Sequence, residues 1–259
     1  MKVHRVKELK TIGRAILITS GKGGVGKSTF TCNLAAAMAS LGRKVLIVDA
    51  DEGVRTLDVM LDVNESTVFD LCDILSGECS VADALIDVPF LKQSGNIKLI
   101  ASSAKVGLVA NNGVFKSLIS QIKDSFDYVL IDSAAGVNTA FLGALSAADE
   151  ALVISVNDPP AIKIAALLRL KLEQHGIHNA KLIINKFNYK QTKRKNLPSV
   201  DEIIDETLMQ LIGIIPFDKN IDCVQSAVNR LKNRDMFDIV SKIAGRLEGK
   251  NIPLHLKKG

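Results

Sequence analysis

Hydrophobic positions fall in short blocks separated by longer stretches of helical length. Residues 15–19 (AILIT), 44–48 (KVLIV), 96–100, 128–131 (YVLI), 151–156 (ALVISV), 181–184 (KLII) and 211–215 (LIGII) are strand-sized. Several are apolar at almost every position, as expected of parallel strands covered on both faces. Residues 27–41, 114–126, 159–175 and 200–210 read as helices between them. This alternation predicts an α/β fold: a single three-layer domain whose mainly parallel, twisted sheet carries helices on both faces. Residues 1–14 read as a basic N-terminal arm, 15–250 as the domain and 251–259 as a tail. The polar, basic stretch 188–198, ahead of a new helix, is a weak candidate for a linker. Met236, Phe237, Val240, Ile243, Ala244 and Leu247 recur at helical spacing, with Lys232, Arg234, Lys242 and Arg246 between them. They predict a helix docked on the sheet, with a membrane-surface helix as the alternative.

Composition adds limits. Of 259 residues, 47% are hydrophobic and 24% charged, which excludes extensive disorder. No apolar run approaches the roughly 18 residues of a spanning helix. A net charge of +5 permits a phosphate ligand or an anionic surface without demanding either. Cys32, Cys72, Cys79 and Cys223 have no paired spacing and suit a reducing compartment. The first 14 residues lack the apolar core of a secretory signal, so a cytoplasmic location is expected.

The chemistry begins directly after the first strand, at Gly21-Lys22-Gly23-Gly24-Val25-Gly26-Lys27-Ser28-Thr29. This is G-x-x-x-x-G-K-[ST] between a strand and a helix. Glycines let backbone N–H groups approach phosphate oxygens, and the helix adds its positive end at the same point. Lys27 is placed to reach the β- and γ-phosphates, and the Ser28 hydroxyl is the expected Mg²⁺ ligand. Lys22 is an extra cation that an ordinary phosphate loop lacks. With it, GKGGVGKST resembles the deviant Walker A loop of the MinD/ParA family of ATPases. That resemblance implies a nucleotide-sandwich homodimer in which Lys22 crosses to the partner's ATP and neutralises charge on the departing phosphoryl group.

Two carboxylates end the second strand, in Asp49-Ala50-Asp51-Glu52-Gly53-Val54-Arg55-Thr56-Leu57-Asp58. Their spacing points both side chains to one side of an extended backbone. The segment resembles a family switch sequence, D-x-D-x-G-L-R-N-L-D, which implies Asp49 near Mg²⁺ and Asp51 orienting the attacking water. Asp58 reads as a surface or helix-capping residue. Residues 128–131 run into Asp132, a Walker B element whose carboxylate would hold a Mg²⁺-bound water. Gly136 resembles the glycine of the second switch. The family pattern D-S-P-A-G-I-E reads DSAAGVN here, so Ala134 and Asn138 depart from it. The acid missing at Asn138 bears on switch coupling or partner choice and removes no Mg²⁺ ligand.

Asn185-Lys186-Phe187-Asn188 superficially resembles the guanine-reading N-K-x-D, but Asn188 cannot replace a carboxylate that accepts from two ring donors. Asn185 suits adenine, which favours ATP over GTP. The family resemblance agrees on Asn185 and adds Pro216, in the turn Ile215-Pro216-Phe217-Asp218, as a base-side contact. His175 and His178 form H-x-x-H around Gly176 without Cys or acidic companions, so no metal site is expected there. The basic cluster Lys190, Lys193, Arg194 and Lys195 reads as a solvated loop, with contact to DNA or lipid headgroups as the alternative.

The resemblance spans about residues 15–253, including Val68-Phe69-Asp70-Leu71 and Ser199-Val200-Asp201-Glu202-Ile203-Ile204 outside the nucleotide site. It implies slow ATP hydrolysis with Mg²⁺, in a switch that controls division-site placement through a protein partner of the MinC or MinE type. An anionic membrane surface is a further partner, although residues 256–259 (LKKG) carry no bulky apolar targeting face. The location implied is cytoplasmic, or peripheral on the inner face of the cell membrane. The alternatives within the family are a flagellar-number regulator and a DNA-partition ATPase, with DNA the less favoured ligand. A small-molecule ligase or kinase on the same sheet is the alternative outside it.

Overall fold

A computed structural model describes residues 13–89, 97–110, 112–217 and 234–254. The arm up to residue 12, Asn96, Asp218, Cys223, Lys232 and residues 256–259, all named above, lie outside the described residues.

In chain order the elements are β1 (Arg14–Ser20), α1 (Lys27–Ser40), β2 (Val45–Ala50), α2 (Leu57–Met60), α3 (Leu71–Ser76) and α4 (Val81–Ala84). Next come β3 (Ile86–Val88), β4 (Ile97–Ile100), α5 (Asn112–Ile122), β5 (Tyr128–Ser133), α6 (Thr139–Ser146) and β6 (Glu150–Val156). The chain continues through α7 (Pro159–Gln174), β7 (Ala180–Phe187), α8 (Tyr189–Lys195), α9 (Val200–Thr207), β8 (Gln210–Pro216) and α10 (Arg234–Leu247). Eight strands form one sheet in the order β3-β4-β2-β5-β1-β6-β7-β8. All pairs are parallel except β3 with β4. β3 escaped the sequence pattern because three residues at an edge leave too short an alternation to detect.

The inner strands are apolar at most positions because each serves two cores. Ile16 and Ile18 face α1 and α10, together with Phe30, Met38 and Ile243. Ala15 and Leu17 point to the other side, where Phe115 of α5, Phe141 of α6 and Leu168 of α7 pack. Each fully buried Ile, Leu or Phe contributes about 1.5–3 kcal/mol relative to exposure. α1 is buried on nearly every side, between the sheet and α10, which explains its run of Ala35, Ala36 and Ala37. α10 is docked as the apolar spacing predicts, with Val240, Ile243, Ala244 and Leu247 buried. Its far end is tied down by polar contacts. Glu248 pairs with Arg43 and accepts from the Tyr128 hydroxyl at 2.5 Å, while Arg14 donates to the Leu247 carbonyl at 3.0 Å.

Two expectations are corrected here. Residues 188–198 are not a linker: Tyr189–Lys195 is α8, begun by Asn188, whose side chain accepts from the Gln191 N–H at 3.0 Å. Helix propensity in Lys-Gln-Thr-Lys-Arg-Lys outweighs the polar composition that suggested a loop. The helix expected over 200–210 ends at Thr207, and Gln210 already begins β8. Asp70 and Ser199 each close a capping box, on α3 and α9. No described helix is long and apolar enough to cross a membrane.

Candidate functional site

Ligands in open α/β sheets bind beyond the carboxyl ends of strands, where successive connections leave in opposite directions. Here that point is β1, flanked by β5 and β6. A cleft of about 370 Å³ opens at its carboxyl end, bounded by the phosphate loop, Asp51, Asn185, Pro216 and Met236. Lys22, Gly23, Gly24, Gly26, Lys27, Ser28 and Thr29 all line it. Gly21 lies at the base of the loop, where an added Cβ would stand 2.2 Å from Ile164 of α7. Val25 buries its side chain in the core, and its carbonyl accepts from Asn185.

Gly26 is the N-cap of α1 in the left-handed region, at φ 93°. A Cβ there would also sit 2.5 Å from Asn185 Nδ2, so only glycine fits. With no side chain at that cap, the first-turn N–H groups of α1 are left for a ligand. They lie next to Lys27 at the positive end of the helix, an arrangement suited to an anion.

Three donors converge on Asp132. Lys27 Nζ lies 2.9 Å from Oδ1, Ser28 Oγ donates to Oδ2 at 2.6 Å, and Thr31 Oγ1 is 3.1 Å from Oδ1. Thr31 was not singled out from the sequence; its position one helical turn beyond Lys27 is the only signal. β2 and β5 are in register with Asp49 opposite Asp132, so the two buried carboxylates face each other across neighbouring strands. Burial, then the charge of Asp132, pushes the Asp49 carboxyl up to about 8, against the opposing N–H groups of Leu57 and Asp51. Asp51 lies just past β2, with Oδ2 3.8 Å from Lys27 Nζ. Burial raises its pKa as well, and the charge of Lys27 acts in the opposite sense.

Three carboxylates and a hydroxyl around one buried ammonium form an oxygen-rich, net acidic set, which fits a hard divalent cation such as Mg²⁺. Among the described residues, however, no three His, Cys, Asp or Glu side chains form a metal cage. Mg²⁺ commonly keeps waters and takes ligands from substrate phosphates.

Lys22 behaves differently from Lys27. Its side chain is 55% exposed, and its Nζ lies 3.2 Å from Oδ2 of Asp158, at the start of α7. The structure thus sets one lysine of the loop under the cleft and the other at its rim. Gly136 donates its N–H to the Ser20 carbonyl at 2.9 Å, holding the segment after β5 against the base of the phosphate loop. Asn185 gives Nδ2 to the Val25 carbonyl at 2.7 Å and accepts from the Lys186 N–H at 2.9 Å, so it braces the loop while lining the cleft. Pro216 and Phe217 close the same side.

Asp58 is not a surface residue. It is buried in α2, where it accepts both the Nε and Nη2 of Arg55, and Thr56 occupies the cap position. Asn138 caps α6 by accepting from the Phe141 N–H at 2.8 Å, a role that needs no carboxylate. His175 Nδ1 lies 2.9 Å from the Lys171 carbonyl, in a helix-ending turn with Gly176 at φ 83°. Glu52 and Asp158, both near the site, were not assigned roles from the sequence, since neither belongs to a recognised spacing.

A family model described as an AAA domain matches residues 13–184. The septum site-determining protein MinD of Synechocystis sp. is 35% identical over 93% of this chain and 92% of its own length. Among solved structures, the MinC:MinD cell division protein complex of Aquifex aeolicus superposes with a TM-score of 0.84 at 32% identity, covering 94% of this chain and 99% of that one. The septum site-determining protein MinD of Pyrococcus horikoshii, complexed with Mg-ADP, gives 0.78 at 25% identity, covering 91% and 96%. On the family match over residues 13–184 and on these relatives, which share most of its length, this chain belongs to the MinD/ParA family of P-loop ATPases.

Proposed function

We propose that the protein is an ATP-driven dimerisation switch that acts in placing the division site. The carrying observation is the division of labour between two lysines of one loop. Lys27 is buried among carboxylates, while Lys22 is exposed at the cleft rim and pairs with Asp158 instead of that cluster. A cation in Lys22's position serves a second nucleotide better than its own, which supports a homodimer with each Lys22 acting in trans. The relative solved with Mg-ADP supports a nucleotide with Mg²⁺, and Asn185 favours adenine.

In this reading the N–H groups of residues 23–28 and the Lys27 ammonium hold the triphosphate. Ser28, Asp49 and Asp132 would hold Mg²⁺, which supplies charge neutralisation on the β- and γ-phosphates when bound. Asp51 orients a water for in-line attack on the γ-phosphorus. The new P–O bond forms as the bond to the β–γ bridging oxygen breaks, and the water's proton leaves with inorganic phosphate. Lys22 of the facing copy and Lys27 stabilise the charge that develops. Gly136 supports the second switch, and Pro216 with Phe217 offers apolar surface to the base.

A partner of the MinC kind is proposed from the complex solved for the Aquifex relative. The location proposed is cytoplasmic, with peripheral membrane contact in the dimeric state. The test is light scattering with a non-hydrolysable ATP analogue and Mg²⁺. Wild type is expected to be dimeric with the analogue and monomeric with ADP. Lys22→Ala is expected to stay monomeric in both and to lose hydrolysis while still binding ATP. Dimers and turnover of the variant at wild-type levels would overturn the reading.

A further inference from the structure

The Asp51 carboxylate has no hydrogen bond among the described residues; its one close partner is Lys27, at the long distance of 3.8 Å. Its aim is therefore set by its backbone, whose N–H donates to Asp49 Oδ1 at 3.2 Å and whose following residues are fastened to the loop of residues 101–109. The Ser102 hydroxyl donates to the Asp51 carbonyl at 2.9 Å. The Gly53 N–H donates to the Ser103 carbonyl at 2.8 Å. Between these two anchors Glu52 reaches into the loop. Its Oε2 accepts from the Gly107 N–H at 2.9 Å, and its Oε1 accepts from Leu108 at 2.9 Å and Val109 at 2.8 Å. Three consecutive backbone N–H groups converging on one carboxylate form a strong, charge-assisted grip.

The opposite side of the loop is pressed on α6. A Cβ placed on Gly143 would stand 1.8 Å from the Val109 carbonyl oxygen, so helix and loop are in backbone contact. α6 begins just after the Gly136 segment. The loop is thus wedged between the residues that follow β2 and the helix that follows the second switch.

We propose that Glu52 is a positioning residue for hydrolysis, fixing Asp51 through the 107–109 loop and tying its position to that of α6. This rests on the hydrolytic role given to Asp51 above. The residue touches no reacting atom. Its effect is expected in the chemical step and not in nucleotide affinity, because the phosphate loop and Asn185 are held by other contacts.

The test uses the full chain in single-turnover hydrolysis of ATP with Mg²⁺, together with equilibrium binding of a fluorescent ATP analogue. Glu52→Gln replaces one accepting oxygen with an amide that faces backbone donors. It is expected to slow hydrolysis by about fivefold or more, since small misplacements of a reacting group cost that much or more, with affinity held within about threefold. Gly143→Ala pushes the same loop from the other side and is expected to act through it. The double variant should then be no slower than the slower single, the non-additivity of residues sharing one element. Hydrogen exchange at the Leu108 and Val109 amides should accelerate in Glu52→Gln.

A smaller slowing, a loss of affinity matching the loss of rate, or additive effects would overturn the proposal. Unchanged exchange at those amides would do so as well. Wild type that releases no phosphate would instead overturn the hydrolytic reading itself, so the two failures are told apart by the unmutated protein.

Discussion

Asp49 offers the sharpest physical test of the site, because its environment and that of the unfolded chain disagree most. The carboxyl is buried between strands opposite Asp132, and its pKa rises from the ordinary 3.8 to about 8. The nucleotide-free native state therefore keeps a proton that the unfolded chain releases. Stability falls as pH climbs from about 4 to about 8 and is flat above, because the native state binds the extra proton over that window. The slope is about 1.4 kcal/mol per pH unit. Asp49→Asn keeps the shape and cannot titrate. Other titrating groups are shared, so they largely cancel when variant and wild type are compared. Between pH 5.5 and 8 the variant should gain about 3 kcal/mol relative to wild type. A pH-independent loss of about 1–3 kcal/mol runs against it, since an amide cannot accept from both Asp51 and Leu57. The variant should thus be the weaker protein at pH 5.5 and equal or stronger at pH 8. Urea titrations without nucleotide or Mg²⁺ at both pH values measure the difference. Parallel pH profiles for the two proteins would refute the argument.

Two further outcomes follow from single contacts. Asp158→Asn removes the 3.2 Å partner of Lys22. An exposed ion pair is worth under about 1 kcal/mol and a dimer frees two of them, so ATP-dependent dimers should tighten by no more than about thirtyfold. An unchanged or weaker dimer in sedimentation would count against competition between Asp158 and the facing nucleotide. Asn138→Ala removes the cap of α6 and should lower stability by about 1 kcal/mol in urea, while Asn138→Asp keeps the cap and should not. Equal losses in both variants would refute the capping role.

The sheet and the site were legible in the sequence to different depths. Central strands were readable because burial on both faces leaves few polar positions, as in 128–131 ahead of Asp132. The phosphate loop was readable because its demands are local: φ at Gly26, a helix start, and a lysine at fixed spacing. Asp49 and Asp132 were found one at a time, as residues ending apolar runs. Short elements escaped, among them β3, α2, α6 and α8, because a few residues cannot show a period. Asp58 was misread for a related reason. A charged residue near a helix start is usually exposed, and only packing with Arg55 reveals a buried pair.

Residue identity and spacing alone were enough to determine an α/β sheet, a phosphate-binding loop with two lysines and a set of carboxylates. Those features depend on neighbours along the chain, or on a burial pattern that each strand carries for itself. Strand order, the facing of Asp49 and Asp132, and the grip of Glu52 on residues 107–109 were decided by the tertiary structure. Each brings together groups separated by dozens of residues, and no local preference encodes which distant partner a carboxylate will meet. Only the fold, by stacking strands in register and pressing one loop against a glycine, made those meetings specific.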